Sequence, residues 1–114
     1  ILCDHKRRYG SLKLLPQLAA IHLNDTHPAL AIPELMRLLI DENGMTWEEA
    51  WGITTSVCAY TNHTVLAEAL ETWPEDLIAR RLPRIYSILK EINRRFCEVS
   101  GGLEQNFPHG DYLL

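Results

Sequence analysis

Two short segments combine a histidine with small polar side chains, and they hold most of the residues that could do chemistry. Residues 24–28 read Asn-Asp-Thr-His-Pro, and residues 61–64 read Thr-Asn-His-Thr. Carboxylate, imidazole and amide groups gathered at one place can bind a polar ligand or act on it. The same residue types also begin helices and complete turns, so a purely structural role for both segments is the alternative.

Metal binding and hydrolysis are the other chemistries to weigh. Asp25, His27 and His63 are a conceivable set of nitrogen and oxygen ligands, but no HExxH or similar spacing supports a metal site. No serine lies in a Gly-x-Ser-x-Gly elbow, which disfavours a nucleophilic hydrolase. Glu68 and Glu71 are spaced to share a helix face, but no partner for a glycosidase pair is evident. The pattern alone indicates at most a crevice for a ligand the size of a sugar or a phosphate.

Each polar segment follows a short apolar run that predicts a strand. Residues 19–23 read Ala-Ala-Ile-His-Leu and stop at an Asn-Asp pair, and residues 58–61 stop at Asn62. Two helices predicted between these strands favour a parallel pairing with a right-handed crossover. Because ligands of open α/β sheets bind beyond the carboxyl ends of the strands, both polar segments are expected to face one crevice.

Helix signals fill the rest of the sequence. Glycines and prolines mark most ends, and a Thr-x-x-Glu capping box begins the helix after residue 46. Pro16 is expected to lie in a loop, and the tail over residues 103–114 has no periodicity and is expected to be irregular. The predicted fold class is α/β and predominantly helical, with two short parallel strands and about four to five helices. The predicted helix boundaries rest on Gly10, Pro33, Gly44, Thr46, Pro74, Pro83 and Gly101.

Composition narrows the class of protein. The chain has 114 residues, is 46% hydrophobic and 23% charged, and carries a net charge of −4, as a globular segment does. The basic cluster 6–8 lacks interleaved aromatic residues, so no nucleic-acid partner is expected. Three cysteines without a CxxC pair suit a reducing compartment. No apolar run approaches the ~18 residues of a membrane span, so no membrane partner is expected.

Three blocks of sequence resemble the α-glucan phosphorylases, the family of glycogen, maltodextrin and starch phosphorylases. The blocks are residues 22–37 (HLNDTHPALAIPELMR), residues 58–74 (CAYTNHTVLAEALETWP) and residues 82–93, with LPR and EIN at its two ends. Long strings at unbroken spacing, over about residues 17 to 97, are a highly specific signal. The resemblance implies that residues 1–114 are a single segment of a larger enzyme, a fragment from the end of the N-terminal one of two Rossmann-like lobes.

The resemblance also implies an activity. Family members are hexosyltransferases that use inorganic phosphate to release terminal α-1,4-glucosyl units as glucose 1-phosphate, with pyridoxal 5′-phosphate as cofactor. The cofactor lysine and the phosphate-binding cations would lie elsewhere, so the isolated segment is expected to hold no cofactor and no metal and to be inactive. The parent is expected to be a cytoplasmic homodimer of an allosteric enzyme family, and the segment to self-associate. The alternative is a non-catalytic glucan-binding or helical interaction module.

Carried over residue by residue, the resemblance implies substrate-binding roles and neither a proton donor nor a nucleophile. The side chain of His63 would contact the 6-hydroxyl of the sugar, and its carbonyl would face the positive charge that develops near the anomeric carbon. Asn62 and Thr64 would hold that carbonyl, Asp25 and His27 would line the pocket beside it, and Ala69 and Glu71 would shape the acceptor side. Ala67, Thr72 and His22 depart from the family pattern, which commonly has Pro, Arg and Gln there.

Overall fold

The computed structural model describes residues 1–63, 66, 71–99 and 112–113. The chain forms two compact units, Ile1–His63 and Thr64–Leu114. Among the described residues there are six α-helices, which confirms a predominantly helical α/β chain. None of the helices in these ranges is both long and apolar enough to cross a membrane.

The first unit contains four helices and a pair of strands. Gly10 ends the first helix in the left-handed conformation, with φ of 73°, as a glycine readily does. Thr46 and Glu49 exchange hydrogen bonds at the start of the fourth helix, which confirms the predicted capping box. The elements are α1 (Leu2–Tyr9), a 3₁₀ turn (Leu12–Leu14), α2 (Leu15–Leu18), β1 (Ile21–Asn24), α3 (Ala31–Arg37), a π-helical turn (Leu38–Glu42), α4 (Trp47–Val57) and β2 (Cys58–Thr61).

Strands β1 and β2 form a parallel pair, which confirms the predicted pairing. Ile21 lies opposite Cys58 at one end, and Asn24 lies opposite Thr61 at the other. The first strand begins two residues later than predicted because α2 continues to Leu18. The prediction of a loop around Pro16 was wrong: this proline lies at the first turn of α2, where a missing N–H group costs little.

The core of the first unit is formed by Leu23 of β1 together with the buried side chains of the helices and helical turns. Leu23 of β1 is only 2% exposed, and Leu39 and Met36 are fully buried. The hydroxyl of Thr54, also buried, donates a hydrogen bond of 3.3 Å to the sulfur of Met36. Burying each large apolar side chain contributes about 1.5–3 kcal/mol to the stability of the fold, so the burial of Leu23 holds β1 against the core. The buried apolar residues of this unit are Leu12, Leu15, Leu23, Leu35, Met36, Leu39, Ala50, Ile53 and Val57.

The second unit is built on two helices. The described elements are β3 (Trp73–Pro74), α5 (Glu75–Arg81), α6 (Pro83–Val99) and β4 (Tyr112–Leu113), and β3 pairs antiparallel with β4. The short strand β4 lies in the tail that was predicted to be irregular, and the rest of that tail lies outside the described residues. The hydroxyl of Tyr86 donates to Glu75 at 2.6 Å and so joins α6 to α5. This contact raises the pKa of Tyr86 and lowers that of Glu75.

Candidate functional site

The two polar segments meet where β1 and β2 end. The strands run parallel, so their carboxyl ends lie at the same edge of the pair. The backbone N–H of Asp25 donates to the carbonyl of Thr61 at 2.8 Å, which extends the ladder one residue beyond β1. The backbone N–H of His63 donates to the carboxylate Oδ1 of Asp25 at 2.9 Å. The first unit therefore joins Asp25 and His63, as the positions of the predicted strands suggested.

Asp25 has an unusual backbone conformation. Its φ of 62° lies in the left-handed region, which a residue with a Cβ atom enters at a cost of about 1–2 kcal/mol. Aspartate tolerates this region better than most residues because its short side chain can form local hydrogen bonds. The bonds to Thr61 and His63 offset the cost. The turn thus aims the carboxylate of Asp25 across the gap between the two strand ends.

Asn24, Asp25 and His63 form a closed ring of hydrogen bonds. The amide Nδ2 of Asn24 donates to Oδ2 of Asp25 at 3.3 Å. The ring Nε2 of His63 lies 2.8 Å from Oδ1 of Asn24, and the backbone N–H of His63 returns to Asp25. The side chains of Asn24 and His63 are exposed and that of Asp25 is half-buried. The site is an exposed polar edge with a defined geometry.

A second side-chain contact joins β1 to β2, next to the ring of hydrogen bonds formed by Asn24, Asp25 and His63. Nε2 of His22 lies 2.7 Å from the hydroxyl of Thr61, whose carbonyl accepts the N–H of Asp25. Because side chains alternate along a strand, His22 and Asn24 share the exposed face while Leu23 points into the core. Neither His22 nor Asn24 was among the predicted ligand-binding residues. The alternation of polar and apolar residues at 22–24 was the signal that could have identified them.

The other predicted site residues are spread more widely. His27 is exposed, in a turn where the N–H of Ala29 donates to Thr26 at 3.1 Å. Asn62 is exposed between Thr61 and His63. Glu71 is exposed and belongs to the second unit. Thr64 and Ala69 lie outside the described residues, as does Glu68, so their predicted roles stay predictions.

Other ionisable groups of the first unit have structural roles. Arg37 forms a forked pair with Glu34 in α3, with distances of 2.7 and 2.6 Å, and this pair lowers the pKa of Glu34. Burial raises the pKa of the Cys58 thiol at the start of β2, which disfavours the reactive thiolate. In the ranges that the structure describes, no group of three or more His, Cys, Asp or Glu residues is arranged to hold a metal ion.

Comparison with known proteins identifies the family of the chain. The family model described as carbohydrate phosphorylase matches residues 1–111. The chain belongs to the carbohydrate phosphorylase family. This membership confirms the resemblance seen in the three sequence blocks, and it covers more of the chain than those blocks do.

Individual members of the family are closely similar to the chain. Glycogen phosphorylase of Bacillus subtilis is 56% identical over 99 residues, which are 87% of this chain and 12% of that protein. The muscle form of glycogen phosphorylase from Ovis aries is 62% identical over 81 residues, 71% of this chain and 10% of that protein. The cytosolic alpha-glucan phosphorylase 2 of Arabidopsis thaliana is 57% identical over 84 residues, 74% of this chain and 10% of that protein. The chain thus spans 10–12% of the length of these relatives.

Proposed function

We propose that this chain supplies part of the sugar-binding surface of a glycogen or maltodextrin phosphorylase, a hexosyltransferase that releases terminal α-1,4-glucosyl units of a glucan as glucose 1-phosphate. Family membership and relatives named glycogen phosphorylase support the reaction class. The observation that carries the proposal is the bond from the His63 backbone to Asp25 across the two strand ends. It makes a rigid polar edge where an α/β sheet ordinarily binds its ligand.

The proposed chemistry of His63 has two parts. Its side chain binds a sugar hydroxyl, and its main-chain carbonyl lies near the glucosyl carbon that becomes electron-poor when the glycosidic bond breaks. A dipole fixed before the reaction stabilises such a transition state without reorganisation at the moment of bond cleavage. Asp25 restrains the backbone at His63, and Thr61 in turn holds Asp25. Asn62 and His27 belong to the same proposed surface of the first unit, and for Thr64, Ala69 and Glu71 we propose only the substrate-binding roles that the family resemblance implies.

The contacts around His63 do not suit a phosphate-bearing cofactor. The contacts around His63 come from neutral or acidic groups, Asn24 and Asp25. Lys6 and Lys90 are paired with Asn43 and Glu75 instead. We therefore propose that pyridoxal phosphate and the inorganic phosphate are held by other polypeptide, and that this chain alone does not turn over substrate.

The cellular setting follows from the same proposal. Cys3, Cys58 and Cys97 are free thiols, which suits a reducing compartment. One similar relative is named as cytosolic. A cytoplasmic, homodimeric enzyme with allosteric control is the corresponding proposal for the whole protein.

A chimeric enzyme tests the function. The matching stretch of 99 residues in the Bacillus subtilis glycogen phosphorylase is replaced by the residues of this chain that align with it, and glucose 1-phosphate formation from glycogen and phosphate is measured. We expect the chimera to be active, and His63→Ala to lower kcat/KM by about tenfold or more, the cost of a lost hydrogen bond to substrate.

The control variant and the isolated chain complete this test. Asn93→Ala, on an exposed position of α6, should leave the rate of the chimera unchanged. The isolated chain, given pyridoxal phosphate, phosphate and maltodextrin, should form no glucose 1-phosphate. A folded chimera without activity would favour a non-catalytic module. Sustained turnover by the isolated chain would contradict the proposal that other polypeptide holds the cofactor and the phosphate.

A further inference from the structure

We infer that Asn24 is a positioning residue that holds the imidazole of His63 with its hydrogen on Nε2 and its Nδ1 turned to the ligand. The inference rests on the proposed function of His63 as a sugar contact. Its structural basis is the placement of one amide between a carboxylate and an imidazole, with Nδ2 of Asn24 3.3 Å from Asp25 Oδ2 and Oδ1 of Asn24 2.8 Å from His63 Nε2.

The direction of the amide follows from the chemistry of its neighbours. An ionised carboxylate can only accept hydrogen bonds, so the NH₂ group of Asn24 must face Asp25. The reversed amide would place its oxygen against the carboxylate oxygen, where two acceptors repel each other. With the NH₂ group fixed, the amide oxygen faces the imidazole. An amide oxygen is also only an acceptor, so Nε2 of His63 must carry the hydrogen.

This assignment determines what the other ring nitrogen can do. In a neutral imidazole, one nitrogen donates and the other accepts. With its hydrogen on Nε2, His63 presents Nδ1 as an acceptor. A ligand hydroxyl would then donate to Nδ1, and a ligand that offers only acceptors at that point would be disfavoured. The position of a hydrogen on one ring therefore selects between hydroxyl donors and other ligands, a choice that the identity of His63 alone leaves open.

Asn24 is well placed for this role because its backbone belongs to the sheet. It is the last residue of β1 and lies opposite Thr61, so the hydrogen-bonded strand pair fixes the backbone position from which its side chain extends. An aspartate in its place would keep an acceptor for Nε2 but put a second carboxylate beside Asp25. Alanine would remove the acceptor altogether. These two replacements separate the acceptor function from the rest of the side chain.

The experiment uses the 114-residue chain with ¹⁵N-labelled histidine, at a pH where the imidazole is neutral. The ¹⁵N shifts of the two ring nitrogens report which one carries the hydrogen. For His63 in the wild-type chain, we expect two well-separated signals with the hydrogen on Nε2. In Asn24→Ala the two signals should move toward each other, as tautomers interconvert, whereas Asn24→Asp should restore most of the separation. Asn93→Ala, an exposed asparagine on α6, is the matched control and should leave the signals unchanged.

Each outcome of this experiment decides something. A wild-type ring with its hydrogen on Nδ1, or a folded Asn24→Ala chain with unchanged signals, overturns the inference. If circular dichroism shows that Asn24→Ala is unfolded, the inference is judged from the wild-type and Asn24→Asp spectra alone, both of which should show the hydrogen on Nε2. The signals do not depend on activity, so an inactive chimera would refute the proposed function and leave this test intact. In an active chimera, Asn24→Ala should reduce kcat/KM by about tenfold, and Asn24→Asp by less.

Discussion

The end of the β1–β2 pair and the surface of α6 both carry polar and charged side chains. The two regions differ in how far apart along the sequence the contacting residues lie. At the strand ends, His63 reaches Asn24 across 39 positions and Asp25 across 38. On α6, Arg94 and Arg95 reach Glu91 across three and four positions. Arg94 also pairs with Glu98 within the same helix.

The two regions are held together by different kinds of contact. The two arginines lower the pKa of Glu91 to about 2, whereas the site is held mainly by hydrogen bonds to backbone and amide groups. Pairs three and four residues apart form on any exposed helix and stabilise it locally. Contacts between distant segments form only when the sheet is assembled. In this molecule, contacts between distant segments distinguish the candidate site from the charged helix surface.

The largest effect should come from the core beneath the strand ends. Leu23→Ala removes a side chain that is 2% exposed between His22 and Asn24, so the free energy of unfolding in urea should fall by about 2–5 kcal/mol. Leu18→Ala, at a side chain 52% exposed, is the matched control and should change it by less than about 0.5 kcal/mol. Equal losses for the two variants would mean that β1 is not anchored by its buried face.

Asp25 should give an intermediate effect that depends on the replacement. Asp25→Ala loses the bonds to His63 and Asn24 but keeps a Cβ atom at a φ of 62°, so the free energy of unfolding should fall by about 1–3 kcal/mol. Asp25→Gly loses the same bonds and also relieves the strain, so it should be about 1 kcal/mol more stable than Asp25→Ala. Urea titrations measure both variants. If the glycine variant were the less stable, the left-handed backbone would carry no cost.

Much of this fold could be predicted because its signals are local. Gly10, Thr46 and Pro83 mark helix ends through their own backbone preferences, and the apolar run that ends at Thr61 predicts β2 directly. The parallel pairing followed from the two helices between the strands. The four-residue helix α2 was missed because Pro16 suits both a loop and a first helical turn.

The site was predicted only in part, because its geometry depends on register. The histidine and aspartate of the polar segments drew attention by residue type. Asn24 belongs to the first polar segment but received no substrate-binding role, since an asparagine at the end of a strand is ordinary turn chemistry until His63 is seen beside its oxygen. The contact of His22 with Thr61 likewise exists only because β1 and β2 pair in one register. A shift of one residue would turn both side chains to the opposite face.

The smallest effect should come from the charged face of α6, and its pH dependence distinguishes this region from the strand ends. The pKa of Glu91 is lowered in the folded chain from 4.5 to about 2, chiefly by hydrogen bonds from Arg94 and Arg95. The ionised form therefore stabilises the fold fully above about pH 4.5, and this contribution disappears as the pH falls toward 2. Glu91→Gln removes it at every pH, so the wild-type advantage in urea titrations should be greatest near neutral pH.

Salt provides the control for this last prediction. Because Glu91 interacts with its arginine partners as ion pairs at the helix surface, with the arginine side chains 54% and 39% exposed, about 1 M salt should screen most of the difference between the wild type and Glu91→Gln. The loss caused by Asp25→Ala should persist in the same salt, since the partner of the Asp25 carboxylate is a neutral backbone N–H group and not a charged side chain. If salt abolished both effects equally, the strand ends would be held by the same screened charges as the helix, and long-range hydrogen bonding would not be what defines the site.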